Sequence, residues 1–282
     1  MLLRTLLANW LRHQAQQQVL RTARDALHPN VEANTPRPPR EIAVLFALDM
    51  ESGGAVDQLA NRLSTQCASH VEHAGEFGGR QVVLVDVGVG QRAAAAVARD
   101  TIAVHRPQWI IAAGFATALR DELKRGHVVM PDEIVDDIGA RIAVDLHFDA
   151  ASLANNRALH VGRLATVDHA PRTPNERRQL AEQHDALACD LESAGVAAAC
   201  REAGVRFLAA RLITETVEET LPKELEWLLD QKSWAGKLGA AAGAIVGRPS
   251  SVKDLWRLKE ESIKASDRLA KFLAELIQNL PR

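Results

Sequence analysis

The chain has 282 residues, of which 47% are hydrophobic and 25% charged, and its formal net charge is -2. This balance predicts a globular protein with one large core plus appendages. It excludes the general attraction to phosphate backbones that a strongly basic chain would have, so we expect no nucleic-acid partner.

The cysteines are Cys67, Cys189 and Cys200, which lie far apart in the sequence and form no CxxC pair. This pattern predicts neither a disulfide framework nor a zinc site, and it favours a reducing, cytoplasmic location. We therefore expect no metal and no cofactor.

The N-terminal part of the chain has its own character. Residues 1–27 place leucines and Trp10 on one helical face, away from Arg4 and Arg12, which predicts an amphipathic helix. Its apolar run is shorter than the ~20 residues that span a bilayer. Docking on the protein's own core or on a second subunit is the first interpretation, and peripheral contact with a membrane surface is the alternative. Residues 28–40 form a proline-rich linker.

From residue 41 onward, short β-branched runs alternate with alanine-rich helical patterns. The predicted strands cover 41–48, 81–90, 108–114, 127–135, 157–167 and 205–213. The residues 91–105 read as a helix. This alternation predicts a three-layer α/β/α fold with a central mixed, mostly parallel sheet. In such folds ligands bind at the carboxyl ends of the strands.

The residues that follow the predicted strands include several acids and glycines. Glu51 follows the first strand, Gly88 and Gly90 follow the second, and Glu215 ends the last. A glycine turn that opens a helix can present backbone amides to a ligand. Carboxylates that converge on one rim of a sheet suggest acid/base chemistry.

In this order the segments resemble the nucleoside phosphorylase and nucleosidase superfamily, and especially the 5'-methylthioadenosine/S-adenosylhomocysteine nucleosidases. The resemblance rests on "ALDMES", "VDVGVGQRAAA", "IIAAGFATAL", "CDLESAGVAAAC" and "AARLITET". It covers about residues 42 to 220, so we assign 41–220 to a nucleosidase-like domain. The remaining 221–282 is predicted to be a helical extension that packs on the core.

The resemblance implies hydrolysis of the N-glycosidic bond of a purine nucleoside such as methylthioadenosine or adenosylhomocysteine. Glu51 would activate water, with Arg211 near it, and Glu215 would stand where the family has an aspartate general acid. Glu192 would accept the ribose hydroxyls, whereas Asp190 is expected to stabilise the first amides of the following helix. Further substrate contacts are implied for Gly88, Gly90, Gly114, Phe115, Ala116, Asp168 and Leu191.

The sequence also departs from the family pattern. Glu215 is one methylene longer than aspartate, and Ala170 and Pro171 stand where an aromatic residue would stack on the purine. The arginines with which phosphorylases hold phosphate are missing from "ALDMES" and "IIAAG", and this favours hydrolysis over phosphorolysis.

The C-terminal extension contains a predicted helix near 222–231, a small-residue apolar run over 238–246, and a long amphipathic helix over 251–280. Burial at a helix or subunit interface is the first interpretation of the apolar run, and a hydrophobic wall for a lipid-like substrate is the alternative.

Three further functions stay open: a phosphorylase, a nucleosidase for an adenosyl-lipid (hopanoid precursor), and a non-catalytic nucleoside-binding or membrane-associated protein. The resemblance also implies a homodimer or a higher homo-oligomer.

Overall fold

The computed structural model describes residues 40–145, 156–219 and 250–281, with side chains in the last range from residue 260 onward. The predictions for residues 1–27, for the linker up to residue 39, for 222–231 and for 238–246 lie outside these ranges. In the described part of the chain, no helix is long and apolar enough to cross a membrane.

The described strands form one twelve-stranded mixed sheet. In chain order they are β1 (Ile42–Phe46), β2 (Ala60–Gln66), β3 (Val71–Phe77), β4 (Arg80–Asp86), β5 (Trp109–Ala118), β6 (Val128–Met130), β7 (Glu133–Asp136), β8 (Arg141–Ala143), β9 (Leu159–Val161), β10 (Leu164–Thr166), β11 (Ala188–Asp190) and β12 (Arg206–Glu215). The helices are α1 (Asp49–Asp57), α2 (Gln91–His105), α3 (Pro174–His184), α4 (Ser193–Ala203) and α5 (Ser250–Asn279).

Helices cover both faces of the sheet, and the residue alternation of β1 explains how. Ile42, Val44 and Phe46 pack in one apolar cluster with Leu269 and Leu273 of α5. The intervening residues of β1 belong to a second cluster that contains buried alanines of α2 and α4, among them Ala94 and Ala197. Because successive side chains of a strand point to opposite faces, a strand that is apolar throughout needs a helical layer on each side. The predicted three-layer α/β/α fold with a mixed sheet is confirmed.

Two of the predicted strands are divided in the structure. The segment 127–135 forms β6 and β7, with Pro131 between them, because proline cannot donate a hydrogen bond to a sheet ladder. The segment 157–167 likewise forms β9 and β10, separated by Gly162 and Arg163. The hairpin of β2 and β3 was not predicted, because most residues of β2 are exposed and polar.

The central strand β5 is paired differently along its two edges. On one edge β12 runs parallel to it from Trp109 to Thr117. On the other edge β1 pairs in parallel with Trp109–Ala112, and β11 pairs in the antiparallel sense at Thr117 and Ala118. Residues 113–116 therefore lie between the end of one neighbour and the start of the next. A break of this kind in the strand order is where open α/β sheets bind ligands.

The helix that follows β1 packs closely against the C-terminal helix. The Ser266 hydroxyl of α5 accepts the Gly54 N–H at 2.8 Å and donates to the Glu51 carbonyl oxygen at 2.9 Å. A Cβ atom on Gly54 would lie 2.7 Å from the Ser266 backbone carbonyl. The two helix backbones approach this closely only because residue 54 has no side chain.

We expect Gly54→Ala to destabilise the protein by about 1–3 kcal/mol, because the new methyl group forces α1 and α5 apart. Gly53→Ala is the matched control in the same helix turn, since its Cβ would find its nearest neighbour at 3.8 Å. That control should be neutral or stabilising by about 0.5–1 kcal/mol, as expected when alanine replaces a helical glycine. Denaturant unfolding of both variants measures the difference, and equal midpoints would contradict the close contact.

Candidate active site

Glu51, in the first turn of α1, directs its carboxylate toward the unpaired edge of β5. One oxygen accepts the N–H groups of Ala47 and Leu48 at 2.9 and 3.1 Å, and the other accepts the Phe115 N–H at 2.8 Å. Burial raises the pKa of Glu51, although Arg211 and the backbone N–H groups act in the opposite direction. Three backbone donors fix the orientation of a carboxylate whose proton affinity is enhanced.

Gly114 lies directly against this carboxylate and against Arg211. A Cβ atom on Gly114 would lie 2.5 Å from Arg211 Nη1 and 2.7 Å from Glu51 Oε1. Any other residue would fill the space that these two polar atoms share. Arg211 Nη1 is buried and has no hydrogen-bond partner among the described residues. Since a buried donor without a partner is costly, this nitrogen is suited to a ligand oxygen or a water molecule.

The other guanidinium nitrogens of Arg211 are held by the start of α4. Nη2 pairs with Asp190 Oδ2 at 2.5 Å, and both Nε and Nη2 donate to the Ser193 hydroxyl, at 3.2 and 2.9 Å. Asp190 also accepts the Thr166 hydroxyl at 2.7 Å and the Ser193 N–H at 3.2 Å. The expectation that Asp190 stabilises the start of the helix is thus confirmed, and the same carboxylate anchors Arg211.

Glu192 lies beside this pair at the junction of β11 and α4. Its Oε1 accepts the Gly90 N–H at 3.1 Å, and its Oε2 is 3.9 Å from Arg211 Nη2. Burial raises the pKa of Glu192 to about 7; Arg211 opposes this shift, whereas Asp190 and Glu51 add to it. The residue therefore changes charge near neutral pH.

The group of residues around Arg211 contains more carboxylates than guanidinium groups. The carboxylates of Glu51, Asp190 and Glu192 surround the single guanidinium of Arg211, and all four residues are at most 6% exposed. Burial lowers the pKa of Arg211, but the three carboxylates together outweigh that effect and raise it. When Glu51 and Glu192 are ionised, the group carries an excess of negative charge, which suits a ligand that develops positive charge during a reaction.

Glu215 belongs to a second polar group, four residues further along β12. Its Oε2 accepts the Thr117 hydroxyl at 3.2 Å and Arg177 Nη2 at 3.0 Å. Burial raises the pKa of Glu215, although Arg177 and Thr117 act in the opposite direction. The pairing of β12 with β5 shifts register between Ile213 and Glu215. This irregularity lies directly before Glu215 on β12.

Arg177 was not among the site residues predicted from the sequence. It is fully buried on α3, where Nη1 also donates to the carbonyl oxygens of Thr216 and Val217, at 2.9 and 3.1 Å. Within "NERRQL" it looks like a surface residue of a polar helix, so the sequence offers no signal for its role.

The other residues predicted for the site differ in their burial and in their contacts. Gly90, the residue before α2, contacts Glu192, and Gly88 donates its N–H to the Ala47 carbonyl at 3.1 Å. Asp168 is exposed and accepts a long hydrogen bond of 3.4 Å from Gln91. The side chains of Ala116 and Leu191 pack in apolar clusters. Thus Glu51, Gly90, Gly114, Phe115, Glu192 and Arg211 lie together, while Glu215 and Asp168 lie outside this group.

The fold and this edge define an α/β protein with a buried carboxylate and guanidinium site where its central strand changes neighbours. A family model described as "Phosphorylase superfamily" matches residues 41–248. This match covers well over half of the sequence, and the chain belongs to the phosphorylase superfamily. The predicted resemblance is confirmed.

Individual relatives agree with this assignment. The chain is 25% identical to the 5'-methylthioadenosine/S-adenosylhomocysteine nucleosidase of Shewanella halifaxensis over 209 residues, which are 66% of this chain and 90% of the relative. Among solved structures, the S-adenosylhomocysteine nucleosidase of Streptococcus pyogenes in complex with 5-methylthiotubericidin has a TM-score of 0.66 at 21% identity, covering 88% of this chain and 100% of that chain. A futalosine hydrolase mutant of Helicobacter pylori has a TM-score of 0.64 at 16% identity, covering 86% and 100%. The similarity to these two solved structures shows that the chain shares their fold.

Proposed function

We propose that the protein hydrolyses the N-glycosidic bond of a purine nucleoside, with methylthioadenosine or adenosylhomocysteine as the first candidates. The observation that carries the proposal is the space against Gly114, which Glu51 Oε1 and the partnerless Arg211 Nη1 share. A water molecule there would donate a proton to the carboxylate and accept a hydrogen bond from the guanidinium. The nucleosidases among the relatives support the same reaction.

In this proposal Glu51 is the general base. The water oxygen forms a bond to C1' of the ribose as the bond from C1' to the purine nitrogen breaks, and the water proton passes to Glu51. The electron pair of the broken bond moves into the purine. The three backbone N–H groups on Glu51 keep its carboxylate in place. Its raised pKa makes it a stronger base than an exposed glutamate.

Glu192 would hold the sugar. A carboxylate can accept both ribose hydroxyls, and such a partner would offset the cost of burying Glu192 beside Asp190. The bond cleavage passes through a ribosyl cation, and the excess of carboxylates around Arg211 would stabilise that developing charge.

Glu215 would protonate the leaving purine. Its raised pKa favours the protonated form that an acid requires, and Arg177 and Thr117 would fix the position of its carboxyl group. Arg177 is a positioning residue in this scheme, since it acts through Glu215.

The same charges support water rather than phosphate as the nucleophile. Arg211 is already paired with Asp190, and Arg92 beside the Gly90 turn is exposed. A phosphate anion next to Glu51 would be repelled by that carboxylate, whereas water is not.

Apolar residues beside the site support a substrate with an apolar 5' group. Met50 precedes Glu51 and is 47% exposed, while Val89 lies between Gly88 and Gly90 and is 51% exposed. Such side chains would pack on a methylthio group. A longer lipid substituent is the second candidate, although the chain segments that first suggested it lie outside the described residues.

A nucleoside panel tests the proposal. The full chain is incubated with methylthioadenosine, adenosylhomocysteine, adenosine and inosine, with and without inorganic phosphate, and free base is measured by chromatography. We expect adenine release that does not require phosphate and is fastest for the apolar 5' substituents. Release only with phosphate would establish a phosphorylase, and saturable binding without release would establish a non-catalytic protein.

The pH dependence of the reaction is expected to report Glu192. Because the pKa of Glu192 is raised to about 7, its carboxylate is lost as the pH falls through 7, and with it the acceptor for the ribose hydroxyls. We expect kcat/KM to fall by about tenfold per pH unit below 7.

Two variants test whether Glu192 causes this fall in kcat/KM below pH 7. Glu192→Gln cannot titrate, so its slower reaction should no longer show an inflection near pH 7. Glu176→Gln removes an exposed acid of α3 with a lowered pKa and should keep the profile of the wild type. An unchanged inflection in Glu192→Gln would exclude Glu192 as its source.

A further inference from the structure

The hairpin of β2 and β3 brings together a thiol, an imidazole and a carboxylate that the glycosidase scheme does not use. Gln66 pairs with Val71, and the Cys67 N–H donates to the His70 carbonyl at 2.9 Å, so Cys67 and His70 flank a two-residue turn. Glu72 follows His70 by two residues and therefore projects from the same face of the strand. The candidate ligand atoms of Cys67, His70 and Glu72 all lie within 4.8 Å of one another.

The side chains around this cluster orient the imidazole and the carboxylate. His70 Nε2 lies 3.1 Å from Glu72 Oε1, and its Nδ1 lies 3.0 Å from the Ser69 hydroxyl. A second imidazole approaches from the last residue of α2, where His105 Nε2 lies 3.0 Å from the same Glu72 oxygen. For His70 the second ring nitrogen, Nδ1, is engaged by the Ser69 hydroxyl, as is usual for a metal-bound histidine.

The charge of Glu72 is appropriate for a ligand. Its Oε1 lies within hydrogen-bond distance of His70 Nε2 and His105 Nε2. His70 and Glu72 are 9% and 4% exposed, and Cys67 is half-buried, so the cluster has limited access to solvent.

We propose that Cys67, His70 and Glu72 form a zinc site, with a water molecule as the fourth ligand and His105 as a hydrogen-bond partner of Glu72. Zinc binds thiolate sulfur at about 2.3 Å and imidazole nitrogen at about 2.0–2.1 Å, so tetrahedral nitrogen and oxygen ligands lie about 3.3 Å apart. The separation of 3.1 Å between His70 Nε2 and Glu72 Oε1 needs only a small adjustment to reach that geometry. The sequence predicts no zinc site because it has no CxxC pair, whereas the hairpin assembles a mixed set of ligands.

The proposed site lies next to the C-terminal end of α2, because His105, the last residue of that helix, contacts Glu72. The N-terminal end of that helix begins after Gly90, whose N–H contacts Glu192.

Metal titration of the full chain tests the proposal. The reduced protein is stripped with a chelator, desalted and titrated with Zn²⁺ in competition with a chromogenic zinc indicator, and Co²⁺ serves as a spectroscopic substitute. We expect one zinc per chain, and a near-ultraviolet charge-transfer band with Co²⁺ that reports a thiolate ligand. Cys67→Ser should abolish that band, and both Cys67→Ser and Glu72→Gln should weaken zinc binding by about 100-fold or more.

The matched control is Glu76→Gln, an exposed acid on the same strand, which should bind zinc like the wild type. A second measurement does not depend on the variants: zinc should protect Cys67 from alkylation, as located by peptide mass spectrometry. The other two cysteines are buried and unpaired, which makes Cys67 the thiol to follow. Absence of stoichiometric binding, equal affinity in Cys67→Ser and the wild type, or alkylation of Cys67 at the same rate with and without zinc would overturn the proposal.

Discussion

Glu51→Gln is expected to reduce the rate of adenine release by about 100- to 10,000-fold, the usual contribution of a general base. The amide has the size of the carboxylate but cannot take a proton from water. It also sets an NH₂ group against at least one of the three backbone N–H donors that now point at Glu51. We expect kcat to fall much more than KM changes, because in the proposed scheme Glu192 would still hold the ribose.

The control for this variant is Asp57→Asn, which removes an exposed acid at the other end of α1. Its steady-state kinetics with methylthioadenosine should match those of the wild type. If Glu51→Gln keeps more than a tenth of the wild-type kcat, a different group activates the water, and the role assigned to Glu51 fails.

Arg211→Met is expected to cost about 3–5 kcal/mol of folding free energy, because removal of one partner leaves buried charges uncompensated. Asp190 loses its ion pair, and the pKa values of Glu51 and Glu192 lose the lowering effect of the guanidinium. A buried carboxylate with a raised pKa opposes folding when ionised, and protonation at lower pH relieves that cost. The stability deficit should therefore be larger at pH 8 than at pH 5.

Urea unfolding at both pH values measures this effect. Arg206→Met is the control on the same strand, since Arg206 stacks on the Trp109 ring at 4.3 Å and is partly exposed. It should lose about 1 kcal/mol or less, in line with an exposed cation and aromatic pair. Equal losses in the two variants would show that Arg211 contributes packing rather than charge.

The sequence was sufficient for the features that periodicity and strand ends determine. The apolar runs of β1 and β5 predicted a sheet covered on both faces, and the position of Glu51 after the first strand predicted its place at the rim of the sheet. Gly114 and Arg211 lie within β5 and β12, and only the family resemblance implied them as site residues. The junction at Asp190 was also correctly placed, because an acid before an alanine-rich helix is typical of a helix start.

The features that escaped prediction depend on tertiary contacts. Arg177 stands in a polar helix, and only the fold shows that its guanidinium is buried against Glu215 and the loop after β12. The cluster around Glu72 joins two strands of a hairpin to the end of α2, and His105 is 33 residues away from Glu72. Local patterns carry no information about such pairings, because the pairing depends on how distant elements pack.

The hydroxyl of Ser266 has a consequence for how the protein is made. It forms two hydrogen bonds to α1, and their partners lie 212 and 215 residues away in the sequence. At about 5–20 residues per second, translation would deliver this hydroxyl roughly 10–40 s after the first helix has been synthesised. The helix that carries Glu51 therefore adopts its final position only after the last helix has been synthesised. We expect nascent chains and C-terminally clipped chains to be inactive.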